Sequence, residues 1–192
     1  MLKNKQFFLG VLVISFVVYL THVWINFFYI ATLNVDFSKY YDYINYFLGV
    51  DVDIDYGQGT LYYYLISISI NNKIELINIG NIDYFLSSSV HNVNLVIFIF
   101  GLVGIYRLLK FKNFDNFTIF LSILGLLIFP QSIYMRAVMK PEILCFAIFP
   151  WILLYLEKFI VNKTTINLIL SIPFLVIGVN TKGSAAGMIL LY

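Results

Sequence analysis

Two windows of this chain hold most of the side chains able to do chemistry. The first, DFSKYYDYINYFLGVDVDIDYGQGTLYYYL from Asp36 to Leu65, contains five of the ten carboxylates and eight of the fifteen tyrosines, far more than a solvated loop requires. A carboxylate at the mouth of an aromatic-lined cavity is placed to act as a general base, because partial desolvation raises its pKa toward the useful range. Asp36 is the candidate, and an N-cap for the residues that follow it explains the same residue equally well. Tyrosines, with an apolar body and a polar tip, suit sugar faces and lipid headgroups alike. Within the window, DVDID would put Asp51, Asp53 and Asp55 on one face if extended, since side chains alternate along a strand. That face suits either a hard divalent cation bound through oxygens or a solvated edge, and the solvated edge is favoured.

The second window is YMRAVMKPEIL, Tyr134 to Leu144, which gathers Arg136, Lys140 and Glu142, with Pro141 placed to start a helix. Cations at a membrane boundary snorkel to water. They also bind phosphate, Arg through a bidentate fork and Lys as a point charge, and Lys182 in NTKGSAA would join such a site. The two explanations weigh evenly here. Cys145 is the only cysteine, so no intrachain disulfide forms, and the isolated His22 and His91 read as satisfied or interfacial rather than metal-bound.

The elements that must position these groups are membrane elements. The chain is 61% hydrophobic and 11% charged, against about 45–50% and 25% for a soluble domain. So much apolar surface cannot be hidden inside 192 residues. The net charge of +2 and the absence of a basic run give no reason to expect a nucleic-acid partner. The expected architecture is an all-α integral membrane protein of about five spans. They fall at Phe7–Ala31, Val90–Leu109, Phe117–Met135 and Ile143–Leu156, with a fifth from Ile166. The fourth is short and carries Pro150 in its middle. Phe7–Ala31 is too long for a signal-peptide core, so it reads as a retained span. Between the first two spans, residues 32–89 form a loop too aromatic for disorder. Phe37, Tyr40, Tyr41, Ile44, Phe47 and Leu48 recur at helical spacing, as in an amphipathic helix along the interface. The run TLYYYLISISI is apolar but too short to cross, so it is an interfacial or buried helix, or a strand.

Sorting cations by span ends puts Lys3, Lys5, Arg107, Lys110, Lys112, Lys158 and Lys163 on one side, 7 against the 5 of Lys39, Lys73, Arg136, Lys140 and Lys182. The positive-inside rule then makes the N-terminus cytoplasmic and the Asp36 loop extracytoplasmic. The chain reads as one membrane domain over 1–192, and its close within the apolar run GMILLY reads as the N-terminal part of something longer.

One span, an outer loop opening on Asp, the run GQGTLYYYL and a Lys-Pro-Glu turn resemble the multi-spanning GT-C glycosyltransferases. The likeness is to the bacterial members related to the dolichyl-phosphate-mannose protein mannosyltransferases. DFSKY matches their first-loop acidic motif through Asp36 and Tyr40, with Phe37 in place of a frequent second acid. QGTLYYY resembles their G-P-L-Y element with Thr60 for proline, and MKPEIL their R-P-E turn with Lys140 for arginine. The resemblance implies transfer of a sugar from a polyprenyl-phosphate carrier to a glycan, lipid or protein acceptor outside the plasma membrane. It makes Asp36 catalytic and Tyr40, Gln58, Tyr62, Tyr63, Arg136, Lys140, Glu142 and Lys182 substrate-binding. Members differ in metal use, so a divalent cofactor is left open. The rival is a non-enzymatic transporter, flippase or accessory subunit, which would place paired charges near the bilayer midplane.

Overall fold

The computed structural model describes residues 2–32, 37–54, 59–71 and 82–182, and among these every regular element is an α-helix. In chain order they are α1 (Leu2–Phe28), α2 (Phe37–Phe47), α3 (Thr60–Asn71), α4 (Ile82–Phe111), α5 (Asn116–Ile128), α6 (Pro130–Ala137), α7 (Glu142–Asn162) and α8 (Thr165–Thr181). Three are long and apolar enough to cross a membrane: α1, α4 and α7. The pair α5–α6 makes a fourth if its two halves count as one span. At 17 residues, α8 is about 26 Å long, short of the roughly 30 Å hydrocarbon core.

Three boundaries differ from those read in the sequence, and one open alternative is decided. The third apolar stretch is broken, because Pro130 cannot continue α5 and instead starts α6, bending the pair by 58°. The fourth is longer than expected, 21 residues with Pro150 accommodated inside α7. The second begins at Ile82 rather than Val90, which shortens the loop before it. TLYYYLISISI is a helix, α3, not a strand. The start of α2 at Phe37 agrees with the helical spacing read there, and its buried residues are Tyr40, Tyr43 and Ile44.

Helices α4 and α7 form the centre. They run parallel and approach closely because glycines face the contact: a Cβ on Gly101 would stand 2.9 Å from the Ala147 Cα. Above it Phe98 stacks on Phe146 at 5.0 Å, and below it the Trp151 indole donates to the Phe100 carbonyl at 3.2 Å. Small residues at a helix pair are how membrane helices gain close packing without a hydrophobic drive between them. Around this pair, α8 returns along α7 after a left-handed cap at Lys163 (φ 54°). The other tight turn ends at Asp115, whose carboxylate accepts from the Thr118 amide at 3.0 Å and its hydroxyl at 2.6 Å. That is an N-cap for α5. Helix α1 lies outside, against α5, with Phe7 touching Tyr106 and Phe120. The large apolar side chains left exposed, such as Phe8, Phe27, Phe117 and Ile166, face what would be lipid.

These contacts sort the molecule into two ends. The start of α1 shares one end with the C-termini of α4 and α7, where Lys112 pairs with Glu157 at 2.6 Å. The other end gathers α2, α3, the α6–α7 turn and the close of α8. There α2 and α3 meet through tyrosines, with Tyr63 stacked on Tyr43 at 4.8 Å and on Tyr40 at 5.3 Å.

Candidate functional site

The α6–α7 turn is the structural focus of that second end. Residues Val138–Pro141 leave the helix, so their backbone groups need partners from elsewhere. Inside a membrane an unmatched backbone group costs several kcal/mol, and irregular backbone survives only where protein surrounds it. Here α4 supplies the donors. Asn94 Nδ2 donates to the carbonyls of Arg136 (3.0 Å) and Val138 (2.9 Å), and His91 Nε2 donates to that of Ala137 (3.0 Å). The Met139 amide donates to the Ala31 carbonyl at 3.2 Å, and the Ala31 amide in turn donates to Ser87 Oγ at 3.0 Å. Behind His91, Asn26 lies 3.2 Å from its Nδ1 and continues the tract to His22 and Asn92. Sequence reading left the two histidines as bland satisfied groups. Ser87, His91 and Asn94 recur at helical spacing on one face of an otherwise apolar span, and that pattern was the available signal.

Arg136 does not join the predicted cluster. Its side chain is 1% exposed and runs into the bundle. It donates to the carbonyls of Leu127 (3.3 Å) and Ser132 (3.4 Å) and to Thr21 Oγ1 (3.0 Å), and lies over the Phe98 ring at 4.8 Å. Leu127 is in the last turn of α5, whose carbonyls the Pro130 break leaves free, so the guanidinium closes the bend as a C-terminal cap. It neither snorkels nor faces a surface where phosphate could reach it.

The remaining predicted residues do gather. The Tyr62 hydroxyl donates to Asn94 Oδ1 at 2.8 Å, tying α3 to the residue that holds the turn. Tyr40, Tyr62 and Tyr63 are all buried, and the Tyr63 hydroxyl has no hydrogen-bond partner among the described residues. Burial holds the Tyr62 and Tyr63 phenols well above their ordinary range, and the nearby Glu142 carboxylate pushes both further up. Glu142 Oε1 pairs with Lys182 Nζ at 2.7 Å, and Oε2 is buried without a partner among the described residues. The Lys182 ammonium is held above its usual range by that same hydrogen bond and charge. Lys140, half-buried, sits beside Glu142 across Pro141. Gly59 brings the start of α3 against the close of α8, where an added Cβ would stand 2.6 Å from the Thr181 Cα.

Asp36, Gln58 and Asp55 lie outside the described residues. Asp51 and Asp53 are exposed while Val52 and Ile54 turn inward, which is the alternation of a solvated edge. Among the described residues no group of three His, Cys, Asp or Glu side chains is arranged to hold a metal ion.

No protein family, curated protein or solved structure matches this chain.

Proposed function

We propose that the chain belongs to a membrane glycosyltransferase that moves a sugar from a polyprenyl-phosphate carrier to an extracytoplasmic acceptor. The observation that supports this reading most is convergence. Tyr40, Tyr62 and Tyr63 come from the first window, Lys140 and Glu142 from a second about a hundred residues later, and Lys182 from the end of α8. They meet at one end of the bundle, and Glu142 pairs with Lys182 there. Two polar atoms at that end, Tyr63 Oη and Glu142 Oε2, are buried without partners among the described residues, as in a site that takes hydroxyl groups.

In the proposed reaction Asp36 takes the proton of the acceptor hydroxyl, whose oxygen attacks the anomeric carbon of the lipid-borne sugar. The bond from that carbon to the phosphate oxygen breaks, and the lipid phosphate leaves with the electron pair. Lys140 and Lys182 offset the charge developing on it. Arg136 has no part in this step, since it is buried and each of its three nitrogens donates within the bundle. The test is transfer from a short-chain polyprenyl-phosphate sugar by membranes carrying the chain or a longer protein that contains it. Asp36→Asn abolishes transfer while expression and insertion stay normal; undiminished transfer would remove Asp36 as the base.

One observation favours the transport reading: the polar tract from half-buried His22 and Asn26 to buried His91, with buried Arg136 nearby, on helices long enough to span. If that reading holds, Asp36→Asn leaves uptake or flipping of a fluorescent lipid-linked sugar by proteoliposomes intact, and His91→Gln slows it.

A further inference from the structure

A groove of about 470 Å³ opens between α1 and α5, at the end of the bundle away from the proposed transfer site. Leu9 and Val13 form one wall, Phe117, Leu121 and Leu124 the other. Its floor is the Phe120 ring, which rests on α1 because Gly10 has no side chain: a Cβ there would stand 2.5 Å from the ring. Among the described residues Asn116 is the one polar side chain of the lining, and it opens α5. From Asn116 to Leu124 along α5 is about 12 Å at 1.5 Å per residue, inside the roughly 15 Å of one hydrocarbon leaflet. The groove is thus an apolar slot of acyl-chain depth, polar at the end where headgroups lie.

That end carries a cation. Lys110 is exposed, and its Nζ donates to Asn116 Oδ1 at 3.0 Å. The partner is a neutral amide, so the positive charge stands, and this bond uses one of the three donors of an ammonium. The carboxylates of the same end are engaged. Asp115 accepts from the Thr118 amide and hydroxyl at the positive N-terminus of α5, and Glu157 pairs with Lys112. Lys3 and Lys5 lie in the opening turns of α1. Over the whole end seven cations stand against two carboxylates, a net charge of +5. We infer that this groove binds an anionic phospholipid, with one acyl chain between α1 and α5 and the phosphate on Lys110, in the leaflet at the α4–α5 turn. None of these residues belongs to the transferase site, so the inference is independent of that reading.

The test uses dibrominated lipid, which quenches tryptophan on contact. Leu121→Trp puts a reporter on the groove wall, and the unsubstituted chain supplies the background of Trp24 and Trp151. The full chain is reconstituted in phosphatidylcholine that contains dibrominated phosphatidylglycerol or dibrominated phosphatidylcholine at the same mole fraction. The reporter favours phosphatidylglycerol about fivefold, the factor one lysine contributes toward anionic lipid. Lys110→Gln removes the preference and Lys110→Arg keeps it. Lys163→Gln, at the same end but in the α7–α8 turn, leaves it unchanged. Each preference compares two lipids on one protein, so a loss of stability does not imitate the result. Equal quenching by the two lipids would overturn the inference, as would a preference that survives Lys110→Gln. A preference lowered as much by Lys163→Gln as by Lys110→Gln would also overturn it, in favour of a general attraction to the basic end.

Discussion

Arg136 is the residue on which a sequence motif and its structural use part most clearly. Its planar fork reaches acceptors on α1, α5 and its own helix, a geometry that the point charge of lysine cannot reproduce. Arg136→Lys should therefore cost about 1–3 kcal/mol of stability, the desolvation cost of acceptors left unmatched, while Lys140→Gln costs little. Thermal unfolding of the two variants in detergent checks this. Asn94→Leu, which strips the Arg136 and Val138 carbonyls and the Tyr62 hydroxyl of a partner, should lower stability by about 1–2 kcal/mol in the same assay. The pH dependence follows from the groups outside the spans. Tyr62, Tyr63 and Lys182 have folded-state pKa values raised above their unfolded ones, so their contributions are full below about pH 10 and fade as pH rises further. Asp115 is lowered by its hydrogen bonds to Thr118, so its contribution is full above about pH 4 and lost as pH falls below that. Stability from these groups should be flat between the two limits, and absorbance titration should show two phenols that ionise only on unfolding.

At the scale of elements, the apolar lengths and the helical spacing of Tyr40 and Ile44 made most helices legible, because lipid and a buried stripe both impose their pattern directly on composition. The Phe129–Pro130 break was not legible. A proline in a continuous apolar run is compatible with a kink, a stop or a new start, and the choice depends on whether a partner such as Arg136 waits for the freed carbonyls. The close approach of α4 and α7 was equally hidden, since glycine in a membrane helix announces a contact without naming its other side. Gly101→Val tests it: backbone rather than a flexible side chain lies 2.9 Å from the added carbon, so the helices must separate, at a cost of about 1–3 kcal/mol. Gly125→Val, where nothing lies within 4 Å of an added Cβ, is the control that should leave the unfolding midpoint nearly unchanged.

For the whole molecule, the two-ended distribution of cations predicts a topology. In a cysteine-free background, Asn113→Cys in the α4–α5 turn should be labelled by an impermeant maleimide only after cells are opened, and Asp53→Cys in intact cells. The reverse pattern would turn the proposed site toward the cytoplasm, where a lipid-borne donor is no longer demanded. Of that site, the tyrosines and the Lys140–Glu142 turn were visible as composition, whereas the Glu142–Lys182 pairing and the desertion of Arg136 depend on helix rotation, which spacing alone does not fix. The irregular turn at Val138–Pro141 also carries a consequence for how the protein is made. Its partners Ala31, His91 and Asn94 all precede it in the chain, so every group that will receive the turn has been synthesised before the turn itself. Biosynthesis thus makes the groups that hold the turn before the turn itself. A ribosome stalled just after α5 would leave His91 Nε2 and Asn94 Nδ2 without the turn carbonyls they hold, and such a product should be cleared by membrane quality control faster than one stalled after α7.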